Sequence, residues 1–175
     1  MKFNKKFFQK FIYILFLFFI SAILGGMMES IYVFLLFQKF DIGGFMYGPW
    51  RPIYGFGCLL LYFITRKVKG SNLLIFFQCF FICSIFEYLS SYFLELIFNR
   101  TWWDYSHLFL NINGRICLYH SLIWGCLGIL FLKYIEPYLL KIFQKIDFKK
   151  MTIFIIILFS LYQIDGLFSW PRNIK

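Results

Sequence analysis

The stretch Phe11–Phe37, FIYILFLFFISAILGGMMESIYVFLLF, is a long apolar run whose only charged side chain is Glu29. A helix crosses a membrane with about 20 mainly apolar residues, because the hydrocarbon is about 30 Å thick and each residue rises about 1.5 Å. A cleaved signal peptide is less favoured, since Ser21-Ala22-Ile23 offers no small-residue cleavage motif. The run therefore predicts an uncleaved membrane span.

Similar apolar stretches recur along the chain, and one of them, Ile53–Thr65, is shorter than a full span. They predict an all-α fold, a polytopic transmembrane helix bundle forming one integral membrane domain over residues 1–175. The expected spans are about 11–37, 53–65, 71–98, 116–133 and 151–170.

The composition agrees with this class. The chain is 61% hydrophobic and only 15% charged, whereas a soluble domain has about 25% charged residues. A water-exposed globule is therefore excluded. The five cysteines all fall inside apolar runs, which favours packing roles over disulfides or a zinc site.

The segment before the short span is GGFMYGPWRPIYGFG, Gly43–Gly57. Its prolines and glycines disfavour a regular helix. Irregular backbone at membrane depth occurs where protein or a water-filled cavity satisfies its polar groups. We expect a re-entrant or protein-covered segment between the first two spans, and a Gly/Pro-rich external loop is the alternative.

The basic residues predict the orientation. Twelve of the 18 Lys and Arg lie at the N-terminus and in the second and fourth connections. Because cytoplasmic loops are enriched in Lys and Arg, we expect a multi-pass protein of the cell membrane with a cytoplasmic N-terminus. The positive charge reflects topology and gives no support to nucleic-acid binding.

Acidic residues inside the predicted spans indicate where function is concentrated. Glu29, Glu87, Glu95 and Asp165 all fall in the outer half of the bilayer under this topology, with Glu87 about 17 Å below the outer surface. Ionisable groups are costly there and usually face a bundle interior or cavity. They could pair with arginines to hold the bundle together, or they could line a polar site for an ion or substrate.

The connection Asn99–Arg115 reads NRTWWDYSHLFLNINGR. Trp102, Trp103 and Tyr105 are typical of a membrane interface, and Asn113-Gly114 predicts a turn. No metal-ligand spacing, Walker A sequence, dinucleotide fingerprint or G-x-S-x-G motif occurs. We therefore predict no metal and no cofactor.

The cytoplasmic side is expected to carry a short amphipathic helix at about 137–147. Leu139, Ile142, Phe143 and Ile146 share one face, and Lys141 and Lys145 lie on the other. Such a helix could lie on anionic lipid or dock onto a cytoplasmic ATPase.

The Gly43–Gly57 segment and TWWDYSHLFLNINGRICLYHSLIWG, Thr101–Gly125, together with Glu29 and Glu87, resemble the bacterial integral membrane proteins called ABC-transporter type IV or CmpB-like permeases. The resemblance runs from about Ser21 to Pro137 and implies a transport permease. Two positions depart from the family pattern: Gly43 stands where Arg is common, and Arg51 where a small residue or Cys is common.

The resemblance implies a set of matching motif positions. They are Glu29; Gly44, Phe45, Tyr47, Gly48, Pro49, Pro52, Ile53, Tyr54 and Gly55; Glu87; Trp102, Trp103, Asp104, Tyr105 and Ser106; and Asn113, Gly114, Arg115 and Ser121. Within this set, we expect a structural role for Gly44, Gly48, Pro49, Pro52, Gly55, Trp102, Trp103, Tyr105, Asn113 and Gly114.

The preferred hypothesis is a permease subunit in the lipid bilayer, working with a separate ATPase and forming, in one variant, a homo-oligomer. Its outward-facing polar site would be built mainly from Glu29, Glu87, Asp104 and Arg115. The alternatives are a membrane-embedded enzyme acting on lipid or an extracellular precursor, and a structural or accessory subunit. The full set of expected site residues is Glu29, Tyr47, Arg51, Tyr54, Glu87, Asp104, Arg115, His120 and Asp165.

Overall fold

The computed structural model describes residues 5–38, 44–65 and 70–173. Gly43 and several basic residues of the charge count, namely Lys2, Lys39, Arg66, Lys67, Lys69 and Lys175, lie outside these ranges. The elements in chain order are α1 (Lys5–Phe37), α2 (Pro52–Thr65), α3 (Asn72–Phe98), β1 (Asn111–Ile112), β2 (Ile116–Cys117), α4 (Leu118–Leu130), a π-helix (Phe131–Ile135), α5 (Glu136–Lys145) and α6 (Phe148–Asn173).

The prediction of an all-α bundle is confirmed. In the described ranges, the only strands are β1 and β2, two residues each and paired antiparallel. Four helices are long and apolar enough to cross a membrane, and Pro52–Ile64 is shorter. The four are Lys5–Leu35, Asn72–Phe98, Leu118–Lys145 and Phe148–Pro171.

No loop separates the fourth span from the amphipathic helix that was expected at about 137–147. The chain continues from α4 through the π-helix into α5. The wider π turn comes just before Pro137, which has no backbone N–H to donate to the preceding turn.

The helix ends follow ordinary capping chemistry. Ser71 caps α3, its Oγ accepting from the Leu74 N–H at 3.3 Å. Both α1 and α3 end in a residue with left-handed backbone, Gln38 at φ 53° and Asn99 at φ 50°. Each donates its N–H four residues back, to Phe34 O at 2.9 Å and Glu95 O at 2.8 Å, which closes the last turn.

The helices divide into two compact units. The first comprises the described residues up to Leu59 together with Glu136–Asn173. In it, α1 packs against α5 and α6 through buried side chains such as Leu17, Phe19 and Ile155. Helix α2 approaches α1 closely, because Gly25 lies against the Tyr54 ring and Gly55 against the Phe18 ring.

The second unit comprises Leu60–Ile135. Helices α3 and α4 pack antiparallel, with Gly128 against Cys79 and the Ser84 hydroxyl donating to the Ser121 hydroxyl at 2.7 Å. Ser121, Gly125 and Gly128 of α4 are all buried and form its small-residue face. Close backbone approach through small residues is typical of membrane helices.

Candidate functional site

The Gly/Pro segment of the first unit is held by Asp165 of α6. The Asp165 carboxylate accepts from the Tyr47 N–H at 2.9 Å and the Gly48 N–H at 2.6 Å. The indole N–H of Trp50 donates to it at 2.7 Å, and so does the Ser169 hydroxyl. One side chain thus satisfies two backbone donors that no helix or strand could pair.

The same segment lies beside the middle of α1. The Arg51 N–H donates to the Ala22 carbonyl at 3.1 Å, and Ala22 lies about 22 Å along the axis from the end of α1 at Phe37. Helix α2 begins at the next residue, Pro52. The irregular chain therefore runs alongside a membrane-spanning helix, in agreement with the expected re-entrant or protein-covered segment.

Arg51 ends the segment and pairs with Glu29 of α1. Its Nε lies 3.3 Å from Glu29 Oε2, and the arginine side chain is 8% exposed against 38% for the glutamate. A Cβ at Gly44 would come within 2.8 Å of the Arg51 guanidinium carbon. A side chain at position 44 would therefore require the Arg51 guanidinium to shift.

The second unit has a comparable segment, residues 99–117, which folds back along the C-terminal turns of α3. Asn113 donates to the Tyr88 hydroxyl at 3.3 Å, and Arg115 donates to the Ser91 hydroxyl at 3.1 Å. Tyr88 lies about 15 Å along the axis from the end of α3 at Phe98. Irregular chain thus accompanies about three turns of a second apolar helix.

This segment contains a small hairpin of its own. Asn113 and Gly114 both have left-handed backbone, at φ 53° and 67°, the conformation of a type I′ turn. Tyr105 N–H donates to Gly114 O at 2.7 Å, and Gly114 N–H donates to the Asn111 side chain at 3.1 Å. The turn predicted at Asn113-Gly114 is confirmed.

Glu87 is the most deeply buried acid of the expected site, with 4% of its surface exposed. Its Oε1 accepts from the Tyr105 hydroxyl at 3.2 Å, and its Oε2 accepts from the Trp124 indole N–H at 2.7 Å. No salt bridge to Glu87 is found among the described residues. Neutral donors therefore surround this carboxyl group.

Arg115 pairs with Glu95 one residue after the hairpin turn. Its Nη2 lies 2.6 Å from Glu95 Oε2, and its guanidinium carbon lies 5.5 Å from the Tyr92 ring centroid. Trp103 donates to the Arg115 carbonyl at 3.0 Å. The guanidinium is thus bound by α3, and Trp103 fixes the backbone behind it.

His120 and Asp104 occupy different surroundings in this unit. The His120 ring stacks on Tyr105 with centroids 4.1 Å apart, and its Nδ1 lies 3.1 Å from Cys117 Sγ. Asp104 is exposed and accepts from the Ser106 N–H at 2.8 Å. That backbone hydrogen bond holds the pKa of Asp104 below its ordinary value.

The structure places the expected site residues in two groups. Glu29, Tyr47, Arg51, Tyr54 and Asp165 belong to the first unit, and Glu87, Asp104, Arg115 and His120 to the second. A joint site of Glu29 with Glu87 stays a prediction. Tyr47 is an exposed member whose backbone, rather than its ring, binds Asp165.

Two partners in these clusters were not expected from the sequence: Trp50 and Trp124. Nothing in the local sequence distinguishes these two indoles from neighbouring aromatic side chains that face lipid. Ser169 is four residues after Asp165, and this spacing places it on the same helix face. This spacing identifies Ser169 as a partner of Asp165 from the sequence.

Long apolar helices with carboxyl groups satisfied inside them define an integral membrane protein of the polytopic helical class. The chain belongs to the family described as Putative ABC-transporter type IV, whose model matches residues 16–170. The match begins in α1, ends in α6 and includes both polar clusters. No curated protein and no solved structure matches the chain.

Proposed function

We propose that this protein is the membrane-spanning subunit of a transport system that is driven by a separate ATPase. The family supports an ABC-transporter component. The observation that carries the proposal is the irregular chain at residues 44–51, bound beside the middle of α1 and followed by the short helix α2. Discontinuous helices with polar groups at bilayer depth are typical of transporter binding regions.

The proposed orientation has the N-terminus in the cytoplasm of a multi-pass protein of the cell membrane. Under this orientation both irregular segments face the outer half of the bilayer. Each unit then supplies one polar cluster there, one centred on Arg51 and Glu29 and the other on Glu87. We propose that the transported ion or polar molecule meets these groups after entering from outside.

Helix α5 is the proposed contact with the ATPase. Leu139 and Glu136 are buried, and the Tyr13 hydroxyl donates to Glu136 at 2.8 Å. Phe143 packs edge-on against the Tyr13 ring at 5.0 Å. The opposite face presents exposed Lys141, Gln144 and Lys145, so a rigidly mounted basic surface faces the cytoplasm in the proposed topology.

The test is isolation of a tagged copy from its native membranes into lipid nanodiscs, with ATP hydrolysis as the readout. We expect an ATP-hydrolysing subunit to co-purify and its activity to depend on this protein. The double variant Lys141→Glu with Lys145→Glu should lose that subunit, because two charges on the docking face are reversed.

The matched control is Lys149→Glu with Lys150→Glu, which makes the same charge change on exposed residues near the start of α6. This control should retain the ATPase. Recovery of the wild-type protein alone, with no ATP hydrolysis, would overturn the proposal and favour an accessory role. Equal loss in both double variants would assign the effect to net charge and overturn the α5 contact.

A further inference from the structure

Glu87 is satisfied differently from the acids that pair with arginine. Glu29 lies 3.3 Å from Arg51, and Glu95 lies 2.6 Å from Arg115. Glu87 is more buried than either, and its hydrogen bonds come from a phenol and an indole. An ionised carboxylate inside an apolar bundle is costly when no cation compensates it.

The two donors around Glu87 differ in what they can do. The Trp124 indole N–H can only donate, so Oε2 must remain an acceptor. The Tyr105 hydroxyl can donate or accept. When Oε1 carries a proton, it can donate to Tyr105 Oη, and the hydroxyl hydrogen can rotate away without any backbone movement.

Tyr105 connects Glu87 to the irregular segment. Tyr105 is half-buried on the irregular segment, directly between exposed Asp104 and exposed Ser106. Its hydroxyl contacts Glu87, and its ring stacks on His120 of α4. Glu87 therefore lies one hydrogen bond from a partly exposed residue of the irregular segment.

Three other titratable groups of this unit, Arg115, Tyr88 and His120, are engaged by other residues. Arg115 on the segment binds Glu95 and Ser91 of α3, and Tyr88 accepts from Asn113. His120 on α4 lies against Tyr105 and Cys117. A bound metal is disfavoured, because the described residues contain no group of three His, Cys, Asp or Glu side chains arranged to hold one.

We propose that Glu87, together with Tyr105 and Trp124, forms a binding site for an exchangeable proton, with Oε1 as the atom that takes it. The role of this proton in transport rests on the proposed function. The protonation itself is a property of this unit alone.

The test uses dicyclohexylcarbodiimide on the full-length protein in nanodiscs. This apolar reagent enters lipid and reacts with protonated carboxyl groups, and peptide mass spectrometry locates the adduct. We expect an adduct on Glu87 whose yield falls as the pH of labelling rises. The yield should recover when the protein is returned to lower pH before the reagent is added. Glu29 and Glu95 are internal controls, and we expect labelling there to be at least about tenfold lower because each of these carboxylates pairs with an arginine.

A second measurement concerns the donors. Trp124→Phe removes the shorter hydrogen bond to the carboxylate and should move the pH at which Glu87 labelling falls upward by roughly one unit. Trp170→Phe, on an exposed indole of α6, is the control and should leave the yield unchanged.

Absence of an adduct on wild-type Glu87 at every pH would overturn the proposal, as would equal labelling of Glu29, Glu87 and Glu95. These outcomes are separate from those of the ATPase experiment. A protein that binds no ATPase can still show the pH-dependent adduct, and a protein with a bound ATPase can lack it.

Discussion

The two irregular segments, residues 44–51 and 99–117, lie beside membrane helices and are stabilised in different ways. The first contains Gly48 and Pro49 and has no paired strand, and its Tyr47 and Gly48 N–H groups donate to Asp165, which lies 117 residues away from Gly48. The second forms its own hairpin and binds the helix just before it. In the first segment one distant side chain accepts three of the hydrogen bonds, whereas the second segment distributes its contacts locally.

The largest expected effect follows from removing the distant side chain. Asp165→Ala leaves the Gly48 N–H and the Trp50 indole without their acceptor, and the Tyr47 N–H keeps only the Ser169 hydroxyl at 3.1 Å. Each lost bond to a charged group contributes about 1.5 to 3 kcal/mol. Because Asp165 is only partly buried and such losses are not additive, we expect about 3 kcal/mol of destabilisation in total. Thermal unfolding in nanodiscs measures it.

The control for this variant is Asp165→Asn, which keeps an acceptor oxygen. Its free energy of unfolding should fall by about half as much as that of Asp165→Ala. An unchanged melting temperature for Asp165→Ala would contradict a stabilising role of the Asp165 hydrogen bonds to segment 44–51.

A single change in the second segment should have a smaller effect. Arg115→Gln removes the ion pair with Glu95, and the hairpin hydrogen bonds and the Trp103 bond to the backbone remain. We expect about 1 to 2 kcal/mol of destabilisation by the same unfolding measurement, since the pair is partly exposed. A loss equal to that of Asp165→Ala would show that the contacts are not distributed.

The turn of the hairpin offers a smaller test. Gly114→Ala places a Cβ 2.5 Å from Asp104 Oδ1 at φ 67°, and we expect about 1 kcal/mol of destabilisation. Gly166→Ala on α6 is the matched control, because its nearest neighbour is Met46 Cε at 3.7 Å. Destabilisation in the control alone would refute this role of the left-handed turn.

The smallest effect concerns pH. The pKa of Asp104 is lowered in the folded protein by the Ser106 N–H bond, so the bond contributes above the unfolded pKa of about 3.9 and is lost as pH falls through the folded value. We expect the protection of the Ser106 amide against exchange, relative to the intrinsic rate at the same pH, to fall in acid. Asp104→Asn should remove this pH dependence, and a wild-type rate that shows no acid transition would contradict the assignment.

Sequence patterns were sufficient for features that depend on spacing along one helix. The apolar runs predicted the helices, and Ser84, Glu87 and Ser91, whose spacing places them on one helix face, are all buried. Proline and glycine content identified segment 44–51, because those residues disfavour helix on local grounds alone.

A single sequence could not predict which helix faces contact each other. Periodicity gave no reason for Asp165 to bind Gly48, nor for Arg115 to select Glu95 over Glu87. Trp124 was equally hidden, because an indole donor inside an apolar run has the same hydropathy pattern whether it faces lipid or a carboxylate. These pairings depend on the relative rotation and depth of helices that are far apart in sequence.

The bond between Trp50 and Asp165 also constrains the order of biosynthesis. The two residues are separated by 115 positions, which a ribosome covers in about 6 to 23 s at about 5 to 20 residues per second. During that interval the nascent chain carries the Gly48 and Trp50 N–H groups without their final acceptor. Segment 44–51 can reach its native conformation only after α6 has been synthesised and inserted.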